Sequence, residues 1–178
     1  IIMSPVSEAE TYLALSCLEA DEAGRRVPLD LPSWTAAFPH LAPVLARAAA
    51  ETDWRFVRWD RFQVLRLETW SRGRVALLGD AAHAMPPNLG QGGGCAMMGA
   101  LALAVHLDRA APVEAGLVAW EAAERPLIEH TQRWSRLYGR VTGLPEGLRK
   151  AVFRTIDRVP WLRAQHLRAA NHVPTGTA

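Results

Sequence analysis

The residues best suited to chemistry lie between Gly79 and Gly94, in the stretch GDAAHAMPPNLGQGGG. Asp80 directly follows an apolar segment, and its carboxylate can accept hydrogen bonds from the hydroxyl groups of a ribose-like chain. The glycines from Gly90 to Gly94 lead into an apolar helix, and the free backbone N–H groups at a helix N-terminus attract negative charge. The pattern therefore predicts a binding site for a polyol that carries an anionic part.

Two elements must position these groups. Val75 to Leu78 is a continuous apolar run, which is typical of a strand buried on both faces in a parallel sheet. The segment from Gly92 to Leu107 is apolar all round, which predicts a buried helix that is too short and too rich in glycine to span a membrane. Three successive glycines suggest positive φ angles or an approach too close for a Cβ atom.

The ordered string GDAAH, then Pro86, then GQG resembles the last flavin-binding motif of the FAD-dependent aromatic hydroxylases of the para-hydroxybenzoate hydroxylase fold. The resemblance implies that Asp80 binds the ribityl chain of FAD and that Pro86 lies near the flavin ring. It also implies that the glycine loop offers backbone N–H groups to the pyrimidine side of the ring. The cofactor-binding residues implied in this way are Gly79, Asp80, Pro86, Gly90, Gln91, Gly92, Gly93 and Gly94.

The same resemblance implies a fold class and a domain organisation. We expect an α/β fold, α+β within this stretch, that forms the C-terminal part of a two-domain flavoprotein. The Gly-x-Gly-x-x-Gly fingerprint that holds the ADP part of FAD in this family does not occur in the chain. The expected divisions are residues 1–70 for part of the substrate-binding domain, 71–145 for a segment of the FAD domain, and 146–178 for a helical tail.

The activity implied by the resemblance is hydroxylation of an aromatic or polycyclic small molecule, with FAD as cofactor, NADH or NADPH as reductant and O₂ as co-substrate. Because the flavin supplies the chemistry, no side chain is expected to be catalytic. A related flavin oxidoreductase or halogenase is a second interpretation. A third is a non-catalytic fragment with a structural glycine loop, since the chain has Gly94, Met98 and Gly99 where the family usually has an Asn and an acidic pair.

Composition narrows the class of protein. The chain has 178 residues, of which 49% are hydrophobic and 21% charged, with a net charge of +2. Its arginines are scattered, so we expect no nucleic-acid partner. Cys17 and Cys95 lack metal-ligand spacing, and Ile1 to Glu10 does not resemble a signal peptide, so we expect no metal, no membrane association and a cytoplasmic location.

The rest of the chain gives weaker patterns. Strands are expected over Thr11 to Glu19 and within Thr52 to Leu67. Two short helices are expected after Leu31, with Ser33 as the N-cap of the first. From Pro112 onward the apolar period is helical, with a kink at Pro126, followed by a basic amphipathic tail and a frayed end from Asn171 to Ala178. Trp120, Glu121, Arg125 and Pro126 also resemble a pattern that follows the GD motif in the family.

Several side chains permit two interpretations. Trp54, Trp59 and Trp70 are expected to pack on a sheet face, although one of them or Phe62 could line an aromatic-substrate pocket. His83 could act as a base near neutral pH, but hydrogen bonding to the backbone of its turn is the favoured interpretation. Core positions are expected for three further side chains, Cys95, Met97 and Met98.

Overall fold

A computed structural model describes residues 1–177 of the chain. The chain divides into two compact units, residues 1–61 and residues 62–178. The two segments of the candidate cofactor site lie in the second unit. They are the GD turn (Gly79 and Asp80) and the glycine loop (Gly90 to Gly94). Within residues 1–177, no helix is both long enough and apolar enough to cross a bilayer.

The first unit contains a hairpin and two short helices. Strands β1 (Ile2–Pro5) and β2 (Thr11–Ala14) pair antiparallel. Helices α1 (Leu31–Ala37) and α2 (Ala42–Glu51) confirm the two predicted helices. The predicted cap at Ser33 is wrong, because the helix begins two residues earlier and the Asp30 carboxylate accepts the Ser33 N–H at 3.1 Å.

Strand structure is shorter than predicted. The strand expected over Thr11 to Glu19 ends at Ala14. No strand forms between Thr52 and Leu67, where the regular structure is a 3₁₀ turn over Trp54–Phe56. The alternating pattern of this segment was therefore misleading, because a strand also needs a neighbouring strand to which its N–H and C=O groups can bond.

The second unit is mainly helical. Its helices after the GD turn are α3 (Asp80–His83), α4 (Gly92–Arg109), α5 (Val113–Thr142), α6 (Glu146–Arg158) and α7 (Pro160–His166). Helix α5 is the central element, since it packs against α4, α6, α7 and the segment before the GD turn. It continues through Pro126 and ends at Thr142, before Gly143.

The core of this unit lies between α4 and α5. Trp70 and Trp120 are both buried, and their ring centroids are 5.9 Å apart. Cys95 is fully buried on the inner face of α4, which confirms its predicted core position, and Met98 packs against the same cluster. Met97 is 72% exposed, so its predicted core position is wrong.

The strand before the GD turn differs most from expectation. A two-residue strand β3 (Ser71–Arg72) pairs antiparallel with β4 (Val75–Ala76), so this segment forms a tight hairpin around Gly73. Val75 is 66% exposed. The prediction of a strand buried on both faces in a parallel sheet is therefore wrong for the described residues, in which β3 is the neighbour that supplies hydrogen-bond partners.

The C-terminal tail is packed against the helices of the second unit. Ala169 is buried in the core, and the Thr175 hydroxyl donates to Glu124 Oε1 at 2.8 Å. The Thr177 N–H bonds to Pro174 O at 3.1 Å. The end that was expected to be frayed thus makes hydrogen bonds within residues 171–177 and to α5, and Ala178 lies outside the described residues.

Candidate cofactor site

The GD turn is shaped by a left-handed glycine. Gly79 has φ +61°, a region that L side chains rarely adopt. An ideal Cβ atom built on Gly79 would lie 3.6 Å from the Ala96 Cβ, so the turn rests against α4. Asp80 then begins α3 and is exposed. Within residues 1–177, no group donates a hydrogen bond to its carboxylate, which leaves both oxygens free to accept from a ligand.

The loop between α3 and α4 is compact. A 3₁₀ turn over Pro87–Leu89 ends at Gly90, whose φ of +66° is again left-handed. The Gly90 N–H closes the turn by bonding to Pro87 O at 2.9 Å. The loop therefore needs a positive φ at Gly90 alone, and the three glycines that follow Gln91 are helical.

The first turn of α4 presents free N–H groups. The first hydrogen bond of its ladder runs from Cys95 N to Gln91 O at 2.9 Å, so the N–H groups of Gly92, Gly93 and Gly94 lie before the ladder begins. Ideal Cβ atoms on Gly93 and Gly94 would meet no atom of the chain within 4 Å. Packing within the described residues therefore does not require glycine at these two positions.

Gly99, further along α4, is a glycine of a different kind. It is buried, and its ideal Cβ would lie 3.5 Å from Leu78 Cδ1 and 3.7 Å from Ile128 Cδ1. Its carbonyl oxygen also accepts the Trp120 indole N–H. The same helix thus contains a packing glycine at position 99 and two open glycines at its N-terminus.

Polar side chains on one face of α5 form hydrogen bonds to the loop between α3 and α4. Gln132 is buried and donates from Nε2 to Leu65 O at 2.8 Å and to Ala84 O at 3.0 Å. The fully buried Ser135 hydroxyl donates to Pro86 O, and Asn88 Nδ2 donates to Ser135 O at 2.9 Å. Side chains of α5 therefore fix the loop backbone at Ala84 and at Pro86, the first residue of the Pro-Pro pair.

The side chain of Gln91, unlike the other predicted site residues, bonds to the C-terminal helix α7. Its Nε2 donates to His166 O in α7 at 2.9 Å, and its Oε1 is buried without a partner within residues 1–177. The side chain is therefore turned toward the tail helix and supports the loop, while its carbonyl oxygen starts the ladder of α4.

His83 does not form the hydrogen bonds expected of it. The ring is 1% exposed and lies 5.2 Å, centroid to centroid, from Trp70. Neither ring nitrogen has a hydrogen-bond partner among the described residues. Burial lowers the pKa of His83, and the nearby Asp80 carboxylate only partly opposes this effect. The imidazole is therefore a buried core group in which burial disfavours the charged form.

Glu121 and Arg125 tie the segment before the GD turn to α5. Glu121 Oε2 accepts hydrogen bonds from the N–H and the hydroxyl of Ser71, while Arg125 donates to Glu121 and to the carbonyl oxygens of Leu67 and Glu68. Burial opposes ionisation of Glu121, but the hydrogen bonds from the backbone beside Trp70, from Ser71 and from Arg125 outweigh it. They lower the pKa of Glu121 to about 2.

A cleft of about 730 Å³ lies beside this network rather than beside the GD turn. Its lining residues include Thr69, Glu121, Arg125, Arg133 and Arg168. Within it, Arg125 donates to Glu121 at 2.6 Å and to Glu129 at 2.8 Å. Among residues 1–177, no three His, Cys, Asp or Glu side chains gather into a metal site.

The sequence patterns missed the residues that support the loop. Gln132 and Ser135 are polar residues on the buried face of an amphipathic helix, three positions apart. Buried polar groups need hydrogen-bond partners, so these two residues were a usable signal of a polar contact. The partners, Ala84 O and Pro86 O, are backbone groups and carry no sequence signal.

Known proteins resemble this chain both in sequence, including the candidate site, and in fold. Residues 2–131 match the family described as FAD binding domain. A 2-heptyl-3-hydroxy-4(1H)-quinolone synthase from Mycobacteroides abscessus is 44% identical over 158 residues, which cover 89% of this chain and 41% of that protein. A kynurenine 3-monooxygenase from Stenotrophomonas maltophilia is 48% identical over 63 residues, which cover 35% of this chain and 14% of that protein.

A solved structure extends the match to three dimensions. The tetrameric form of 2-methyl-3-hydroxypyridine-5-carboxylic acid oxygenase has a TM-score of 0.77 and 39% identity, over 97% of this chain and 43% of that chain. The chain spans less than half the length of each of these three proteins. The match confirms the predicted fold class, and the family match includes the GD turn and the glycine loop. The chain belongs to the FAD-binding-domain family of the aromatic hydroxylases.

Proposed function

We propose that this chain forms the part of an FAD-dependent monooxygenase that holds the ribityl chain and the ring of the flavin. One observation carries the proposal: the open space beside Gly93 and Gly94 at the N-terminus of α4. Glycine in a helix costs roughly 1 kcal/mol relative to alanine. No atom of the chain occupies the space beside these residues, so packing does not explain the two glycines. Their place at a helix N-terminus, where free N–H groups attract negative charge, favours close approach of a bound molecule as the reason.

The groups around this space fit the proposed cofactor. The Asp80 carboxylate is exposed and accepts no hydrogen bond from residues 1–177, so it can accept hydrogen bonds from ribityl hydroxyl groups. The N–H groups of Gly92 to Gly94 point out of the helix at the positive end of its dipole, where negative charge is favoured. They would stabilise the negative charge that a reduced flavin ring carries.

Flavin, when bound, supplies the redox chemistry and the oxygen transfer to substrate. The residues of this chain bind and orient: Asp80 fixes the ribityl chain, and the first turn of α4 fixes the ring. His83 packs in the core beside Trp70, and we assign it no role in proton transfer. We further propose NADH or NADPH as the reductant and O₂ as the co-substrate.

The proposed substrate is an aromatic small molecule. Two similar proteins are named for a hydroxyquinolone and for a hydroxypyridine carboxylic acid, both of which are aromatic nitrogen heterocycles. Hydroxylated quinolones and pyridines are therefore the first compounds to assay. We also propose a cytoplasmic location, which the two free cysteines support.

The test is spectroscopic and then catalytic. The whole protein, purified without added flavin, is expected to be yellow, with FAD released on denaturation. With NADH or NADPH, O₂ and an aromatic substrate, oxidation of the nicotinamide should be accompanied by a hydroxylated product. A colourless protein that takes up no FAD on titration would contradict the proposal and favour the structural interpretation of the glycine loop.

A further inference from the structure

Asn88, at the tip of the loop between α3 and α4, fills a notch in α5. An ideal Cβ atom on Gly139 would lie 2.6 Å from Asn88 Nδ2 and 3.4 Å from Asn88 Cγ. Cβ atoms do not approach other heavy atoms to 2.6 Å, so glycine is the residue that leaves room for this amide. Gly139 lies in the interior of α5, where glycine is otherwise unfavourable.

The notch and the hydrogen bond of Asn88 belong to the same helix face. Ser135 lies one turn before Gly139, and its carbonyl oxygen accepts Asn88 Nδ2 at 2.9 Å. The Ser135 hydroxyl returns a hydrogen bond to Pro86 O. The amide of Asn88 is therefore held by a directional bond and by the shape of the helix surface.

This contact bears on the proposed cofactor site through the backbone. Asn88 is the middle residue of the 3₁₀ turn that ends at Gly90, and Gln91 O starts the ladder of α4. A displacement of Asn88 therefore moves the backbone that leads into the first turn of α4. Ser135 and Gly139 lie beyond residue 131, where the match to the family ends.

We propose that Gly139 and Asn88 are positioning residues, which set the loop so that the N–H groups of Gly92 to Gly94 face the flavin. The proposal rests on the proposed function. Gly139 contacts no cofactor itself and acts through Asn88. An alanine at position 139 would displace the Asn88 amide, break its bond to Ser135 O and so remove one of the side-chain bonds that fix the loop on α5.

The test compares two identical substitutions in the whole protein. Gly139→Ala introduces the clash, whereas Gly147→Ala adds a Cβ in α6 where no atom lies within 4 Å. FAD affinity is measured by titration, and the visible spectrum of the bound flavin reports on its surroundings. We expect Gly139→Ala to weaken FAD binding by about tenfold or more and to shift the spectrum, while Gly147→Ala leaves both at wild-type values.

A double-mutant cycle separates the clash from general damage to α5. Asn88→Ala removes the amide, so adding Gly139→Ala to it should cause no further loss of FAD affinity. Additive losses would overturn the proposal, and so would wild-type affinity and spectrum in Gly139→Ala. Thermal melting of each variant identifies any that fail to fold. If Gly139→Ala alone does not fold, the FAD affinity of the double variant, which has no clash, is compared with that of Asn88→Ala.

Hydrogen exchange keeps this inference distinct from the proposed function. Gly139→Ala is expected to accelerate amide exchange in residues 88–95 relative to Gly147→Ala, with or without FAD. If the wild-type protein binds no FAD, the proposed function fails, and the exchange rates still decide whether Gly139 positions the loop. Equal exchange in the two variants would overturn the positioning role.

Discussion

The Trp120 indole N–H donates to the carbonyl oxygen of Gly99 at 2.8 Å, which ties the N-terminal part of α5 to the middle of α4. Trp120 is 1% exposed, and Gly99 has no side chain to separate the helices. The bond sets the distance between the two long helices of the second unit. It therefore also sets where the N-terminus of α4 stands relative to the polar face of α5.

Trp120→Phe is expected to lower the free energy of unfolding by roughly 2 kcal/mol, because it removes a buried hydrogen bond and leaves a small cavity. Urea denaturation of the variant measures this change. Trp161→Phe is the matched control, since Trp161 is 65% exposed and should tolerate the change. Equal stabilities for the two variants would show that the indole contact contributes little.

Valine substitutions at the packed Gly99 and at the open Gly93 of α4 are expected to have different effects: the first on stability and the second on flavin binding. Gly99→Val places methyl groups against Leu78 and Ile128 and should destabilise the fold by about 1 to 3 kcal/mol through overpacking. Gly93→Val enters open space, so stability should change little while FAD affinity or coupling of NAD(P)H oxidation to hydroxylation falls. Chemical denaturation and flavin titration on both variants provide the comparison.

The two valine variants can also show that the glycine loop has no cofactor role. If Gly93→Val lowers stability as much as Gly99→Val does, and the flavin-bound protein that remains hydroxylates with normal yield, the glycine loop is structural. The cofactor role assigned to the first turn of α4 would then be wrong.

The pKa of Glu121 predicts a pH dependence of stability. The pKa is about 2 in the folded protein, below the ordinary value of 4.5, so the ionised carboxylate stabilises the fold. This contribution is complete above about pH 4.5 and is lost as the pH falls toward 2. Glu121→Gln should cost on the order of 1 to 3 kcal/mol at pH 7, with the difference from wild type shrinking below pH 4.5.

Unfolding free energies at several pH values between 7 and 2.5 measure this difference. Glu146→Gln is a suitable control, because that carboxylate is exposed and pairs with Lys150 on the surface of α6. A difference between wild type and Glu121→Gln that stays constant from pH 7 to 2.5 would contradict the ionised network.

The local patterns predicted the GD turn, the glycine loop and the two long helices, because these depend on neighbours in sequence. Gly90 and Gly79 have the positive φ that glycines at turns suggest. The strands were predicted less well, since β4 depends on which strand lies beside it. The contact between Asn88 and the notch at Gly139 was not predictable from sequence, because it joins two segments that lie about fifty residues apart in the chain.

Asp80→Ala is the most direct probe of whether this chain holds the ribityl and ring end of FAD. A hydrogen bond to a charged group contributes about 1.5 to 3 kcal/mol, so FAD affinity of the whole protein should fall roughly ten- to a hundredfold. Asp108→Ala, at the far exposed end of α4, is the control. Isothermal titration is expected to show this loss for Asp80→Ala alone, with a melting temperature of the flavin-free protein close to wild type. Unchanged FAD affinity together with a lowered melting temperature would contradict this expectation and make Asp80 a structural turn residue.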